Sequence, residues 1–141
     1  MSLLQTAYLL DVIVSIPFAL TMLIGNERAA GLLFNERLPE SDSIRMVLGT
    51  LWTAILVCSL VGVFFPVAMS PILILQVIYK GLWLILFAVP RWLGGRATEV
   101  PWRIAGIFLS FVLIYPWVIP WAMLFASDAK AAVQGSAERY F

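Results

Sequence analysis

The sequence predicts an all-α fold: an integral membrane four-helix bundle, antiparallel, with a short interfacial segment between helices 1 and 2. Three observations predict it. Hydrophobic residues make up 62% of the chain and charged residues 12%, with a mean hydropathy of +0.98, more apolar surface than a soluble domain of this size could cover. Four apolar stretches are each long enough to cross a hydrocarbon core of roughly 30 Å at about 1.5 Å rise per residue. Arginines gather in the first and third connections and are missing from the second, as expected of a multi-pass chain. Residues 1–126 then form the bundle, with spans at 3–24, 46–65, 71–90 and 102–126, and residues 127–141 form a polar surface tail.

The same composition excludes much. Histidine is absent, which removes the usual haem ligand, the commonest zinc ligand and the usual general base near neutral pH. The single cysteine, Cys58, cannot form an internal disulfide and reads as a small packing residue. A net charge of +1 offers no field for nucleic acid, and a chain that is almost all span has no room for a solvated catalytic domain. No catalytic residue and no metal ligand set is expected, and the chain reads as a non-enzyme.

The first span, 3–24, lacks a basic residue before it and a small-residue cleavage site after it, so it reads as a retained helix, not a signal peptide. Asp11 lies inside it and shares a face with Tyr8, Ser15 and Met22. The connection 26–45 holds an apolar piece, Ala29 to Phe34, flanked on both sides by Asn-Glu-Arg. That piece reads either as a short interfacial helix or as a solvated loop. Pro39 ends it, and Ser41, Asp42 or Ser43 can cap the next helix. In the second span Thr50, Ala54, Cys58 and Gly62 make a stripe of small side chains suited to close helix packing. Two prolines and no charge over 65–71 then require a tight hairpin.

The third span carries Lys80 near its middle, where an amine costs roughly 2.5–3.5 kcal/mol on insertion scales unless it faces protein or a wet cavity. Gln76, Lys80 and Trp83 share one face, with Leu73 and Phe87. A basic turn follows, broken at Gly94-Gly95, with Trp92 and Trp102 marking the interface. Gly106 and Ser110 form a small pair in the fourth span. Pro116 and Pro120 lie further along it, where they remove two amide donors, free the carbonyls of Val112 and Pro116, and predict a helix kink.

The positive-inside rule puts both termini outside, which for a multi-pass protein of a bacterial inner (plasma) membrane is the periplasm. Asp11 and Lys80 then lie about 10 and 14 Å from the outer ends of helices running the same way. Cys58 and Ser59 reach a similar level. The binding or structural polar cluster is Asp11, Ser15, Gln76, Tyr79, Lys80 and Trp83, with Asp11 and Lys80 as an ion pair. Gln76, Tyr79, Ser15 and a proline-freed carbonyl supply its hydrogen bonds. The pair reads as a lock on helix register, or as a ligand or proton site; the remaining reading is that Lys80 snorkels to the interface.

The run Gln76-x-x-Tyr79-Lys80-x-x-Trp83, with Pro116-Trp117-Val118-Ile119-Pro120-Trp121, resembles small bacterial four-helix membrane proteins similar to the DoxX-like class. The resemblance implies an accessory subunit of a quinone-linked oxidoreductase. From the residues themselves, the leading reading is a small non-catalytic membrane protein, accessory or scaffolding, in a larger membrane complex. A small carrier or channel with an intramembrane Asp/Lys site is the second, although four helices enclose little and a pore would need self-association. The third is a quinone-associated subunit with Tyr79, Lys80 and Trp83 around the headgroup. Partners are the lipid bilayer and a larger membrane complex or further copies. No cofactor motif is present; a quinone or a lipid is the ligand these residues would admit.

Overall fold

The computed structural model describes residues 1–34 and 37–140, helical over most of their length and without a strand among the described residues. Helix α1 (Leu3–Ile24) begins in a capping box, where the Ser2 hydroxyl accepts the Gln5 amide and the Gln5 side chain accepts the Ser2 amide. It ends at Gly25, whose φ of 75° is a left-handed conformation that glycine adopts without a Cβ penalty. Helix α2 (Glu27–Phe34) takes up the apolar piece of the first connection. Asn35 and Glu36 of the second Asn-Glu-Arg tripeptide lie outside the described residues, as does the terminal Phe141.

Helix α3 (Asp42–Phe64) starts a turn before the expected 46 because Ser41 is the cap, its hydroxyl accepting the Ile44 amide. Helix α4 (Ser70–Leu93) carries Pro71 in its first turn and outruns the expected end at 90. It is α-helical through Trp83, widens into a π turn over Leu84–Ala88 and resumes as α over Val89–Leu93. The wide turn ends beside Pro90, which has no amide hydrogen to give, and such bulges recur beside functional sites. Gly95 then turns the chain at φ 74° into a short 3₁₀ turn, Ala97–Glu99.

Helices α5 (Trp102–Val118) and α6 (Trp121–Tyr140) replace the single kinked span expected over 102–126. Pro116 stays inside α5 without ending it. The break falls at Pro120, which forces Ile119 into an extended conformation, ψ 127°, and α5 and α6 diverge by 55°. Helix α6 runs through 126–127 unbroken, so the expected limit between bundle and tail is not an element boundary. Among the described residues α1, α3 and α4 are each long and apolar enough to cross a membrane. A fourth crossing exists only if α5 and α6 together make one bent span.

The helices pack as two antiparallel pairs. Against α3, the Gln5 side-chain amide of α1 donates to the Val63 carbonyl at 3.0 Å, and Tyr8 donates to the Pro66 carbonyl at 2.9 Å. At the other end of this pair Arg45 donates to the Leu23 carbonyl, satisfying the C-terminus of α1. On the second pair, Leu73 of α4 meets Phe111, Tyr115 and Ile119, while Ala88 meets Val100 and Ala105. The pairs touch one another far less than they touch within themselves.

The small-residue stripe expected on α3 is not its packed face. Thr50 and Ala54 are exposed and Cys58 is half-buried, whereas Gly49, Ile55, Ser59 and Gly62 are buried. Gly62 alone belongs to both sets, and a Cβ there would lie 2.5 Å from the Tyr8 ring. The hydroxyls of Thr50 and Thr53 bond back to carbonyls of their own helix. Gly106 and Ser110 are likewise exposed on α5, and no atom comes within 4 Å of a Cβ built on Gly106.

Candidate functional site

Three of the sequence-predicted residues meet at the centre of the molecule, each from the face its spacing assigned. Asp11 and Gln76 are fully buried and Lys80 is 5% exposed. The expected Asp11–Lys80 ion pair does not form, because Gln76 stands between the two charges. Its side-chain N–H donates to Asp11 Oδ2 at 2.7 Å, and its carbonyl oxygen accepts from the Lys80 ammonium. The amide is the right length to separate the groups and has the right polarity at each end: a donor for a carboxylate and an acceptor for an ammonium.

Ser59 of α3 completes this ladder by donating to the same Asp11 Oδ2, so α1, α3 and α4 are joined through one carboxylate oxygen. Ser59 was placed only by depth in the sequence reading. It shares the packed face of α3 with Gly49 and Gly62, a face that contact with α1 defines. Asp11 Oδ1 is buried without a hydrogen-bond partner. Tyr115 of α5 lies alongside, its hydroxyl donating to the Ala7 carbonyl at 3.4 Å. Of the two proline-freed carbonyls, that of Pro116 is taken up elsewhere, by the Trp121 indole N–H at 2.7 Å.

Aromatic rings enclose the lysine. Its ammonium lies 3.6 Å from the centroid of Phe111 and between 5.6 and 5.9 Å from those of Tyr79, Phe108 and Tyr115. Ring faces carry partial negative charge and stabilise a desolvated cation by about 2 kcal/mol or more. Snorkelling is therefore not the arrangement adopted. Phe108 and Phe111 of α5 are members of the site that spacing on α4 alone could not reveal.

Beside the lysine lies a void of about 20 Å³ with Ser15, Tyr79 and Lys80 in its wall. That is room for a single water-sized group. Trp52, Tyr79 and Phe108 also border a larger cavity of about 300 Å³, which lies at the end of the bundle that carries the first and third connections. This cavity occupies the gap between the two helix pairs. Its walls include Phe34 stacked on Trp52, with planes 6° apart, and Trp83 stacked on Phe87, with planes 21° apart. Arg37 contributes to its rim and is exposed. The π turn holds Phe87, so the irregular stretch of α4 forms part of this wall.

The small void is walled by Val14, Phe18, Ile107 and Phe108 together with groups that can donate a hydrogen bond, the ammonium of Lys80 and the hydroxyls of Ser15 and Tyr79, the last with the Trp52 indole beside it. The ammonium has three hydrogens, of which Gln76 takes one. An acceptor atom suits the remainder. Asp11 already balances the lysine charge, so a neutral carbonyl oxygen fits better than an anion.

Outside the helical spans, Glu99 bonds to Arg96 at 2.7 and 2.8 Å and pairs with Arg91 at 3.5 Å, while Arg91 also lies over the Phe87 ring. The Arg96 hydrogen bonds, ahead of the charges of Arg96 and Arg91, hold the Glu99 carboxyl below its ordinary range. This contribution is present above the ordinary carboxylate pKa and is lost as pH falls through the lowered value. No family model, curated protein or solved structure matches this chain.

Proposed function

We propose that this chain is a small non-catalytic integral membrane protein, accessory to a larger membrane redox complex, that holds a neutral ring-bearing lipid of the quinone class between its helices. The observation that carries this reading is an aromatic cavity that adjoins, across Trp52, Tyr79 and Phe108, a small void bordered by Lys80, Ser15 and Tyr79. A planar ring suits the stacked aromatic walls, and its carbonyl suits the donors. Ligand sites of this kind combine a mostly apolar lining with a few convergent polar groups. The DoxX-like resemblance points the same way. Holding the ring is all that these residues do in this account, while electrons would come from the larger complex.

In the same reading α1, α3, α4 and the bent α5–α6 pair cross the plasma membrane, with the arginine-bearing end cytoplasmic and both termini outside. The cavity then lies in the inner half of the bilayer. Its lipid-facing side carries the exposed Leu51, so a ring with an isoprenoid tail can enter sideways from the inner leaflet.

The test is to purify the chain from native membranes, extract it with organic solvent and measure quinone per protein. Wild type should carry close to one equivalent, and Tyr79→Phe and Ser15→Ala should carry much less. Equal background amounts in wild type and variants would overturn the assignment. Reporters fused after Phe141 test the orientation, and cytoplasmic-type activity there would reverse it.

A further inference from the structure

We infer that a second ligand site lies on the outside of the bundle, where α1 and α2 hold an acyl chain of an anionic glycerophospholipid and arginines bind its headgroup. The chain reverses at Gly25, and α2 returns along α1 until Phe34 meets the ring of Phe18 edge-on at 5.3 Å. Between the two helices runs a groove of about 350 Å³, walled by Pro17, Leu20 and Ile24 of α1 and by Ala29, Leu32 and Leu33 of α2. Leu20, Ile24 and Leu32 are exposed, and none of the groove residues borders the central cavity. The site needs only that the helices lie in a bilayer and is independent of what the central cavity holds.

Shape argues for an acyl chain. From Pro17 to Ile24 the groove follows α1 for about 10 Å at the helical rise. That is about two-thirds of one leaflet of a hydrocarbon core roughly 30 Å thick. A slot of that length with apolar walls on both sides suits an extended chain, which gains dispersion contacts that a lone helix surface does not offer.

Charge argues for the headgroup. Of the six arginines in or beside the first and third connections, Arg45 pairs with Asp42, and Arg91 and Arg96 share Glu99. Arg28, Arg37 and Arg103 have no carboxylate within ion-pair distance among the described residues. Arg28 lies one turn before Leu32 on the same face of α2. Arg103 reaches from α5 to donate to the Leu32 carbonyl, which leaves most of its N–H donors open. Asn26 borders the groove and caps α2 through its side-chain oxygen, which accepts the Arg28 and Ala29 amides, so its N–H₂ group is left to donate. Glu27 does not border this groove and accepts the Leu38 amide at 3.4 Å. Two guanidiniums and an amide suit a phosphate, and their charge favours a net-negative headgroup over a zwitterion that brings its own cation.

Native mass spectrometry of the intact chain in detergent supplies the test, with palmitoyl-oleoyl phosphatidylglycerol and, separately, phosphatidylcholine of the same chains. One phosphatidylglycerol should bind about tenfold more tightly than phosphatidylcholine. Arg28→Gln should lower that preference about threefold, and Arg28→Gln with Arg103→Gln should bring the two lipids to parity. Arg37→Gln removes an equally unpaired charge that does not border the groove and should keep the preference. Ala29→Trp fills the slot and should weaken both lipids alike. Equal binding of the two lipids by wild type, a preference untouched by Arg28→Gln or lost in Arg37→Gln, or binding unaltered by Ala29→Trp would overturn the site.

Discussion

Gln76 is the residue on which the interior depends, because one amide satisfies a carboxylate at one end and an ammonium at the other. Replacing it with leucine strands both charges, so Gln76→Leu should destabilise the fold by about 3 kcal/mol or more, at least as much as either charge removal. Asp11→Asn and Lys80→Met should each cost about 2–3 kcal/mol, and the double substitution should recover part of the loss because no uncompensated charge remains. Thermal melts of the four variants in detergent check this. Additive single effects with a mild Gln76→Leu would show that the amide does not couple the two groups. That Asp11, Gln76 and Lys80 would meet was legible from helical spacing and depth. Spacing places residues on faces and says nothing of which side chain reaches furthest, so the ion pair expected between Asp11 and Lys80 is bridged instead.

The helices themselves show how far spacing reaches and where it stops. The faces of α1 and α4 were readable because polar residues on an apolar helix have only the interior to turn to. The face of α3 was not, since glycine, alanine, serine and threonine occur around much of its circumference and only contact with α1 distinguishes them. Gly62→Ala should therefore cost about 1–3 kcal/mol by driving a methyl into the Tyr8 ring. Gly106→Ala, in open space on α5, should be neutral or stabilise by up to about 1 kcal/mol. Melting temperatures of the two variants decide it, and equal effects would contradict the packing described. The π turn in α4 leaves no trace in hydrophobic pattern, because inserting one residue shifts the later side chains without changing their character. The break between α5 and α6 falls within the Pro116–Pro120 stretch where the prolines predict a kink. Pro116 is tolerated within α5, where the Trp121 indole satisfies its carbonyl, and Pro120 alone ends the helix.

At the scale of the whole molecule, two helix pairs are joined by a polar ladder at mid-height and part toward one end, and the cavity lies where they part. Helix length and composition announced the spans, whereas the cavity arises from unequal contact between pairs, which no single stretch of sequence encodes. The central claim is that a ring carbonyl from the membrane seats against Lys80. Only two lysines occur in the chain, Lys80 in the bundle and Lys130 in the exposed part of α6. Solid-state NMR with nitrogen-labelled lysine and carbonyl-carbon-labelled menadione in lipid bilayers tests that claim directly. The account predicts a through-space cross-peak between the carbonyl carbon and the Lys80 amine, absent in Lys80→Met and kept in Lys130→Met. A saturated sample with no such cross-peak, or with one that survives Lys80→Met, would contradict it.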